Sequence, residues 1–283
     1  MAMEKNYRAE LTGVFGDPVD GNPSGGMEEA AYAALGLNSR YLTMKVAAGD
    51  LEAAMNGAKA VGMRGVNLTM PHKVRILPLL DKLTPAAKII GAVNTVINDG
   101  GVLTGENTDG KGFVRALELE GVSLQGRTVT ILGAGGAARA IAVECALAGG
   151  ASITVVNRDP GRGQELADLI AQKTPARSAY QPWNGTAAIP AGTQILIQAT
   201  SLGLGTREKP DVDYDAITAD MVVSDVIFNP VMPAFLEEAA ARGAKTVTGI
   251  GMLVQQGALN FELWTGQKAP VDVMYRTLAA EFG

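Results

Sequence analysis

The sequence predicts an α/β chain of two domains: an N-terminal α/β domain, then a domain built on a doubly wound parallel sheet. Three observations carry this. Strand-like and helix-like stretches alternate through the first third, which implies a parallel or mixed sheet with helical crossovers. A buried strand, a glycine turn and a long alanine-rich helix, "RTVTILGAGGAARAIAVECALAGG", stand in the middle. The length of 283 residues, 47% hydrophobic and 19% charged, is enough to bury a core and too apolar for disorder.

In order, "LTGVFG" reads as a strand and "MEEAAYAALGL" as a helix ending near Gly36. "SRYLTMKV" is the second strand, and "DLEAAMNGAKAVG" a helix with Asp50 as its N-cap. "RGVNLTM" is a third strand, stopped by Pro71 and followed by a short helix in "KVRILPLL". "GAVNTVIND" and "GVLTGEN" form a strand pair joined at Gly100–Gly101. The helix from Asp109 to about Val122 leads into the second domain. There the mid-chain strand and helix are followed by strands "ASITVVNRD", "TQILIQATS" and "DMVVSDVIF". Two helical stretches, "MLVQQGALNFELWTG" and "VDVMYRTLAAEF", close the chain and are expected to return to the first domain.

Composition narrows the function. A net charge of −5 argues against a nucleic-acid surface, and no run approaches the ~20 apolar residues of a membrane span. The single cysteine, Cys145, rules out a disulfide framework within the chain and reads as helix packing. His72 is the only histidine and no Cys/His cluster surrounds it, so no metal site is expected. With no apolar signal core at the start, the expected compartment is the cytoplasm.

Gly133, Gly135 and Ala138 make a G-x-G-x-x-A turn between strand and helix, the Rossmann pattern for a dinucleotide. Gly133 permits the tight turn, Gly135 lets backbone approach a pyrophosphate, and Ala138 lets helix and strand pack closely. The turn residues Ala134, Gly136 and Ala137 complete the phosphate cradle, with the helix N-terminus offering free N–H groups to the anion. "NRDPGR" ends the next strand, where the adenosine ribose should lie. Arg158 and Arg162 suit the 2′-phosphate of NADP, whereas Asp159 suits the 2′-hydroxyl of NAD or caps the following helix. NADP is favoured over NAD, since two arginines outnumber one aspartate. Lys73, in "NLTMPHKV", and Asp109, in "GENTDGKG", would each alone read as a surface charge or a cap. They gain weight beside Asn67, Thr69, Asn94 and Thr108 at strand ends, where ligands collect in open α/β folds.

At these residues the chain resembles the shikimate/quinate dehydrogenase family. "VFGDPV", "GVNLTMPHK", "IGAVNTV", "GENTDGKGF", "ILGAGGAARA", "QATSLG" and "GIGMLVQQGALNFELWTG" carry the resemblance. It implies a substrate-binding catalytic domain over 1–108, a dinucleotide-binding domain over 109–247, C-terminal helices over 248–283 and a cleft between the domains. It implies an enzyme of aromatic amino acid biosynthesis that moves a hydride between a nicotinamide and a ring hydroxyl of a small cyclic hydroxy acid. A non-catalytic metabolite-binding protein on the same scaffold is the alternative, and a homodimer is left open. Carried over by position, Lys73 and Asp109 are the catalytic pair, and Asn22, Ser24, Asn67, Thr69, Asn94 and Gln256 bind substrate. Asn157, Thr200 and Gly251 join the cofactor residues. A hydride leaving an alcohol carbon requires the hydroxyl proton to leave too, and a side chain in reach must accept it. Burial would lower the lysine pKa and the aspartate would raise it; the sequence leaves the balance open.

One stretch departs from the pattern. The family's S-x-S-x-S-P-like loop holds the substrate carboxylate with its last two serines. Here it reads "DGNPSGG": Ser24 keeps one serine, Asn22 replaces the other and Gly25 replaces the proline. Phe228 stands where a tyrosine is common. Asp20 either faces solvent or adds a negative charge beside the carboxylate. A divergent substrate is expected, a related polyol acid or an amino-substituted ring, with weak binding of shikimate.

Overall fold

The computed structural model describes residues 6–282. The chain divides into two compact units, one of residues 1–108 with 257–278 and one of residues 109–256 with 279–283.

The first unit is a six-stranded mixed sheet in the order β2-β1-β3-β5-β6-β4. Its strands are β1 (Glu10–Gly16), β2 (Ser39–Lys45), β3 (Gly65–Leu68), β4 (Lys82–Leu83), β5 (Thr95–Asp99) and β6 (Val102–Glu106). β1 runs parallel to β2 and β3, while β5 is antiparallel to β3 and β6. The expected strand pair is β5–β6, and Gly100 and Gly101 make its turn at positive φ, which a side chain would resist. Helices α1 (Ser24–Ala34), α2 (Leu51–Ala60), α3 (His72–Arg75) and α4 (Pro85–Ile90) connect the strands. Phe15, Leu51, Met55, Val66, Leu68, Ile76, Val93 and Val96 pack into one core.

Two local expectations need correction. α1 starts at Ser24, three residues earlier than the apolar periodicity suggests, so the loop residue Ser24 belongs to the helix. Asp50 stands at the N-cap of α2, but its side chain accepts no capping hydrogen bond. The backbone serves instead, with the Asp50 carbonyl accepting from the Ala54 N–H at 2.9 Å.

α5 (Thr108–Leu119) leads into the second unit. Its sheet has the order β12-β11-β10-β7-β8-β9, all parallel. The strands are β7 (Thr128–Leu132), β8 (Ser152–Asn157), β9 (Arg177–Pro182), β10 (Ile195–Gln198), β11 (Val222–Asp225) and β12 (Lys245–Val247). Numbered from β7, this is the 3-2-1-4-5-6 order of a Rossmann sheet, which reverses direction between β7 and β10. Both faces are buried, so a strand such as "ILIQ" is buried at every residue and begins with three apolar residues in a row. Ile131 and Ile197 enter the core shared with α6 (Gly136–Leu147) and α7 (Pro160–Lys173). Leu132 and Leu196 enter the opposite core with Phe235 of α8 (Ala234–Ala241). α9 (Gly249–Thr265) contributes its first half to the second unit and its second half to the first, and α10 (Val271–Phe282) follows. Among the described residues no helix is long and apolar enough to cross a membrane.

Candidate active site

In the first unit Asn22, Ser24, Asn67, Thr69 and Asn94 lie at the carboxyl end of β1 and β3, while the sixth predicted substrate residue, Gln256, belongs to the second unit. The close approach of these strands depends on Gly16, where a Cβ would lie 2.2 Å from Thr69 Cγ2. Lys73, in the single-turn helix α3, is half-buried, and its carbonyl accepts from the Val93 N–H at 2.8 Å. The residue after Val93 is Asn94, whose Oδ1 accepts the Thr108 N–H at 2.7 Å and whose Nδ2 donates to Thr108 Oγ1 at 2.9 Å. Backbone and amide thus tie Lys73, Asn94 and the start of α5 to one sheet end. Asn260 of α9 completes the network: its Oδ1 accepts the Thr95 hydroxyl at 2.7 Å and the Thr108 hydroxyl at 2.8 Å.

Asn67 is buried and already engaged. Its Oδ1 accepts from the Tyr41 phenol at 2.8 Å, and its Nδ2 donates to the Asn94 carbonyl and to Thr95 Oγ1, both at 3.1 Å. Both amide hydrogens face protein, so one lone pair is left for a ligand. The Ser24 side chain lies beside the Tyr41 phenol. The Ser24 N–H donates to Asn22 Oδ1 at 3.0 Å, folding the Asn22 amide back on its own loop. Asp20 is exposed. A cavity of about 600 Å³ lies at the opposite end of this sheet, lined by Arg8, Glu10, Lys59 and Arg64. None of the predicted site residues lines it.

In the second unit the G-x-G-x-x-A turn has the geometry its residues require. Gly133 has φ +113°, and a Cβ there would press on Ala199 O and Thr200 Cγ2 at 3.0 Å. Cβ atoms at Gly135 or Gly136 would meet nothing within 4 Å, so the turn opens toward a free space in front of α6. An anionic pyrophosphate fits such an open backbone cradle at a helix N-terminus. Arg162 Nη2 donates to the Ala134 carbonyl at 3.4 Å, which brings this guanidinium to the cradle. Arg158 stacks on the buried Trp183 ring at 5.7 Å. The Asp159 carboxylate caps α7, accepting the Arg162 N–H at 3.1 Å. Asn157 Nδ2 donates to the Asp159 carbonyl at 2.9 Å and fixes that bend. Gly251 fits beside Ala116 of α5, where a Cβ would make a 3.4 Å contact.

Two glycines in "TDGKG" place Asp109. A Cβ on Gly110 would lie 2.3 Å from the Ala140 carbonyl of α6, and one on Gly112 would lie 2.5 Å from the Gln256 nitrogen of α9. Asp109 is three residues from Gly112, so it shares the helix face that meets Gln256. Phe228 packs edge-on against Phe282 with centroids 5.3 Å apart. Cys145 is buried and burial raises its thiol pKa, so it is inert packing. No group of acidic, histidine or cysteine side chains suited to a metal occurs among the described residues.

Sequence reasoning missed Tyr41 and Asn260. Asn260 stands four residues after Gln256. A polar residue on an otherwise apolar helix stripe was the available signal.

A Rossmann sheet with an open phosphate cradle, joined in one chain to a mixed-sheet domain bearing a lysine among buried amides and hydroxyls, defines a nicotinamide-dependent oxidoreductase. Residues 14–96 match the family model described as shikimate dehydrogenase substrate binding domain, and residues 249–279 that of the shikimate 5'-dehydrogenase C-terminal domain. The shikimate dehydrogenase (NADP(+)) of Desulforamulus reducens is 43% identical over 278 residues, 96% of each chain. The shikimate 5-dehydrogenase of Listeria monocytogenes, solved with shikimate and NAD, is 35% identical with a TM-score of 0.91, over 98% of this chain and 99% of that one. The ligand-free 5-ketofructose reductase of Gluconobacter sp. strain CHM43 is 47% identical with a TM-score of 0.95, over 98% of this chain and 100% of that one. This chain belongs to the shikimate dehydrogenase family, and it is an NAD(P)-dependent enzyme that moves a hydride to or from a small hydroxylated substrate.

Proposed function

We propose that this enzyme reduces an uncharged polyhydroxylated ketone, 5-ketofructose or a close relative, with NADPH. The observation that supports this substrate class is the Asn22–Ser24 turn. The family's carboxylate loop presents two serine hydroxyls; here the Asn22 side-chain carbonyl accepts the Ser24 N–H, and only one serine hydroxyl, that of Ser24 beside the Tyr41 phenol, remains. A carboxylate needs several donors to replace its water, whereas a sugar hydroxyl both donates and accepts and suits mixed partners. The 47% identity to a 5-ketofructose reductase points the same way.

In this reading residues 1–108 are the substrate domain and 109–247 the cofactor domain. Bound at the cradle, the reduced nicotinamide supplies the hydride to the carbonyl carbon. Lys73 and Asp109 hold the carbonyl oxygen and deliver the proton that completes the hydroxyl. Thr69, Asn94 and Gln256 hold neighbouring hydroxyls. The cradle 133–137, with Thr200 and Gly251, holds pyrophosphate and nicotinamide, and Arg158 and Arg162 hold the 2′-phosphate. A cytoplasmic homodimer goes with this reading; light scattering and cell fractionation test it.

A second reading, oxidation of shikimate itself, is favoured by the 43% identity to an NADP-dependent shikimate dehydrogenase. The test is to follow reduced-nicotinamide absorbance with 5-ketofructose and NADPH, and with shikimate and NADP, and to identify the products. NADPH consumption matched mole for mole by a ketohexose supports the proposal. Rapid turnover of shikimate with none of 5-ketofructose refutes it in favour of the second reading.

A further inference from the structure

Two buried polar side chains stand in register at the carboxyl ends of neighbouring strands in the second unit, Gln198 of β10 and Asp225 of β11. The Gln198 amide fastens the loop that follows its own strand. Its Oε1 accepts the Thr200 N–H, and its Nε2 donates to the Leu202 carbonyl at 2.9 Å. The Thr200 hydroxyl in turn accepts the Leu202 N–H at 3.2 Å. Asp225 fastens the next loop: its Oδ1 accepts the Ile227 N–H at 2.9 Å. The same oxygen takes a longer bond from Gln198 Nε2, at 3.4 Å, which ties the two loops together. This arrangement fixes which way the Gln198 amide points. Reversed, its oxygen would face two acceptors, the Leu202 carbonyl and Asp225 Oδ1.

Both loops meet residues assigned above to the cofactor. A Cβ at Gly133 would press on the Ala199 carbonyl and Thr200 Cγ2, both at 3.0 Å, so the loop fastened by Gln198 walls that turn. A Cβ at Gly249 would lie 2.4 Å from the Ile227 carbonyl, so the loop held by Asp225 backs onto the start of α9, which carries Gly251. Packing alone does not call for either group. Leu196 and Val223, two residues earlier on the same strand faces, are apolar and fully buried. Asp225 Oδ2 has no hydrogen-bond partner. An apolar residue at 225 would remove that cost but leave the Ile227 N–H without its acceptor. We propose that Gln198 and Asp225 are positioning residues for the cofactor turn, so that dinucleotide affinity depends on a buried pair acting through Thr200 and the start of α9. This rests on the reading that 133–137, Thr200 and Gly251 hold the cofactor. The pair acts on the part common to both dinucleotides and not on the ribose site of Arg158 and Arg162, so its effect is the same for NADPH and NADH.

The experiment measures NADPH and NADH dissociation constants by titration calorimetry for native protein, Asp225→Leu, Asp225→Asn, Gln198→Met and Gly135→Val. Circular dichroism and urea midpoints report folding. Asp225→Leu, close to aspartate in shape, removes the acceptor and is expected to weaken both cofactors by the same factor, about tenfold or more. Asp225→Asn keeps Oδ1 as an acceptor and is expected to stay within about threefold of native. Gln198→Met removes the Thr200 and Leu202 bonds and is expected to match Asp225→Leu, which keeps the test open should the leucine variant not fold. A merely structural role would lower the active fraction and leave the dissociation constants of the folded molecules unchanged. Unchanged constants in folded Asp225→Leu or Gln198→Met overturn the proposal. So does a loss in Asp225→Asn as large as in Asp225→Leu, or a loss for NADPH alone. Gly135→Val tests the underlying reading: its side chain would stand in the open space before α6 and is expected to abolish binding of both cofactors. Native affinity in Gly135→Val refutes the cradle itself and the proposal with it. Lost affinity there beside unchanged constants in Asp225→Leu and Gln198→Met refutes only the positioning pair.

Discussion

Replacing Asn260 with alanine removes one acceptor from two buried hydroxyls. Asn260 Oδ1 accepts from Thr95 at 2.7 Å and from Thr108 at 2.8 Å. Both hydroxyls have other acceptors in the cluster: Asn94 Oδ1, at 2.9 and 3.2 Å, and each other, at 3.2 Å. That oxygen already takes the Thr108 N–H at 2.7 Å, so without Asn260 the hydroxyls fall back on a crowded acceptor or on the longer 3.2 Å bonds. At least one buried hydroxyl is left with a weakened hydrogen bond, which costs up to about 1–3 kcal/mol, and the amide leaves a void besides. The first unit should lose roughly 2–4 kcal/mol of stability. Each unit holds one of the two tryptophans, Trp264 in the first and Trp183 in the second. Urea unfolding of Asn260→Ala in a Trp183→Phe background, followed by Trp264 fluorescence, reports the first unit alone. Thr108 directly precedes Asp109, so kcat should fall with stability, by about tenfold for each 1.4 kcal/mol of lost positioning. A variant within about 0.5 kcal/mol of its parent and with native kcat would show that the network does not hold the site.

Three further outcomes are expected. Lys73→Ala should lower kcat by roughly 10²–10⁴, the range for a positioned acid–base group, with NADPH affinity unchanged; near-native kcat removes Lys73 from the chemistry. Arg158→Ala should weaken NADP binding tenfold or more and leave NAD unaffected, because a hydrogen bond to a charged group contributes about 1.5–3 kcal/mol. Asp159→Thr should shift the NADP-to-NAD ratio less than threefold, since its carboxylate is occupied as a cap; titration calorimetry with both cofactors checks the pair. Asp225 is buried with Oδ2 unpartnered, and burial pushes its pKa from 3.8 up to about 7. The folded state then holds a proton that the unfolded state has released, so stability falls as pH rises between about 4 and 7 and is level above that. Asp225→Asn should remove up to about 4 kcal/mol of this slope, read from urea midpoints across pH; an unchanged slope would show that another group titrates.

The second unit was legible because each local requirement left a residue type behind. Gly133 and Gly135 differ in what they permit, one a φ of +113° and the other open space, and the sequence pattern separates those roles. Apolar strands without alternation announced a sheet buried on both faces. β9 and β12 went unread because neither has that signature: β9 alternates at an edge and β12 is three residues long. In the first unit, strand ends marked Lys73, Asn67 and Asn94, but not which polar atoms were free. Asn67 carries the same letter whether its amide faces a ligand or, as here, three protein groups. Asn22 likewise looked like a substitute hydroxyl, and its carbonyl is bound within its own turn. Asn260 was hidden by distance in sequence. Its meaning depends on Thr95 and Thr108 folding up against α9.

In the proposed reading the substrate site is set for an uncharged polyol rather than a cyclic acid. The most direct measurement is a competition in one mixture of native enzyme, NADP, NADPH, 5-ketofructose and shikimate, with both products quantified against time. Losing the family's second hydroxyl and its tyrosine removes two bonds to a carboxylate, each contributing about 1.5–3 kcal/mol, and so predicts a ratio of kcat/KM near 10² or more in favour of 5-ketofructose. A ratio at or below one would contradict that substrate preference.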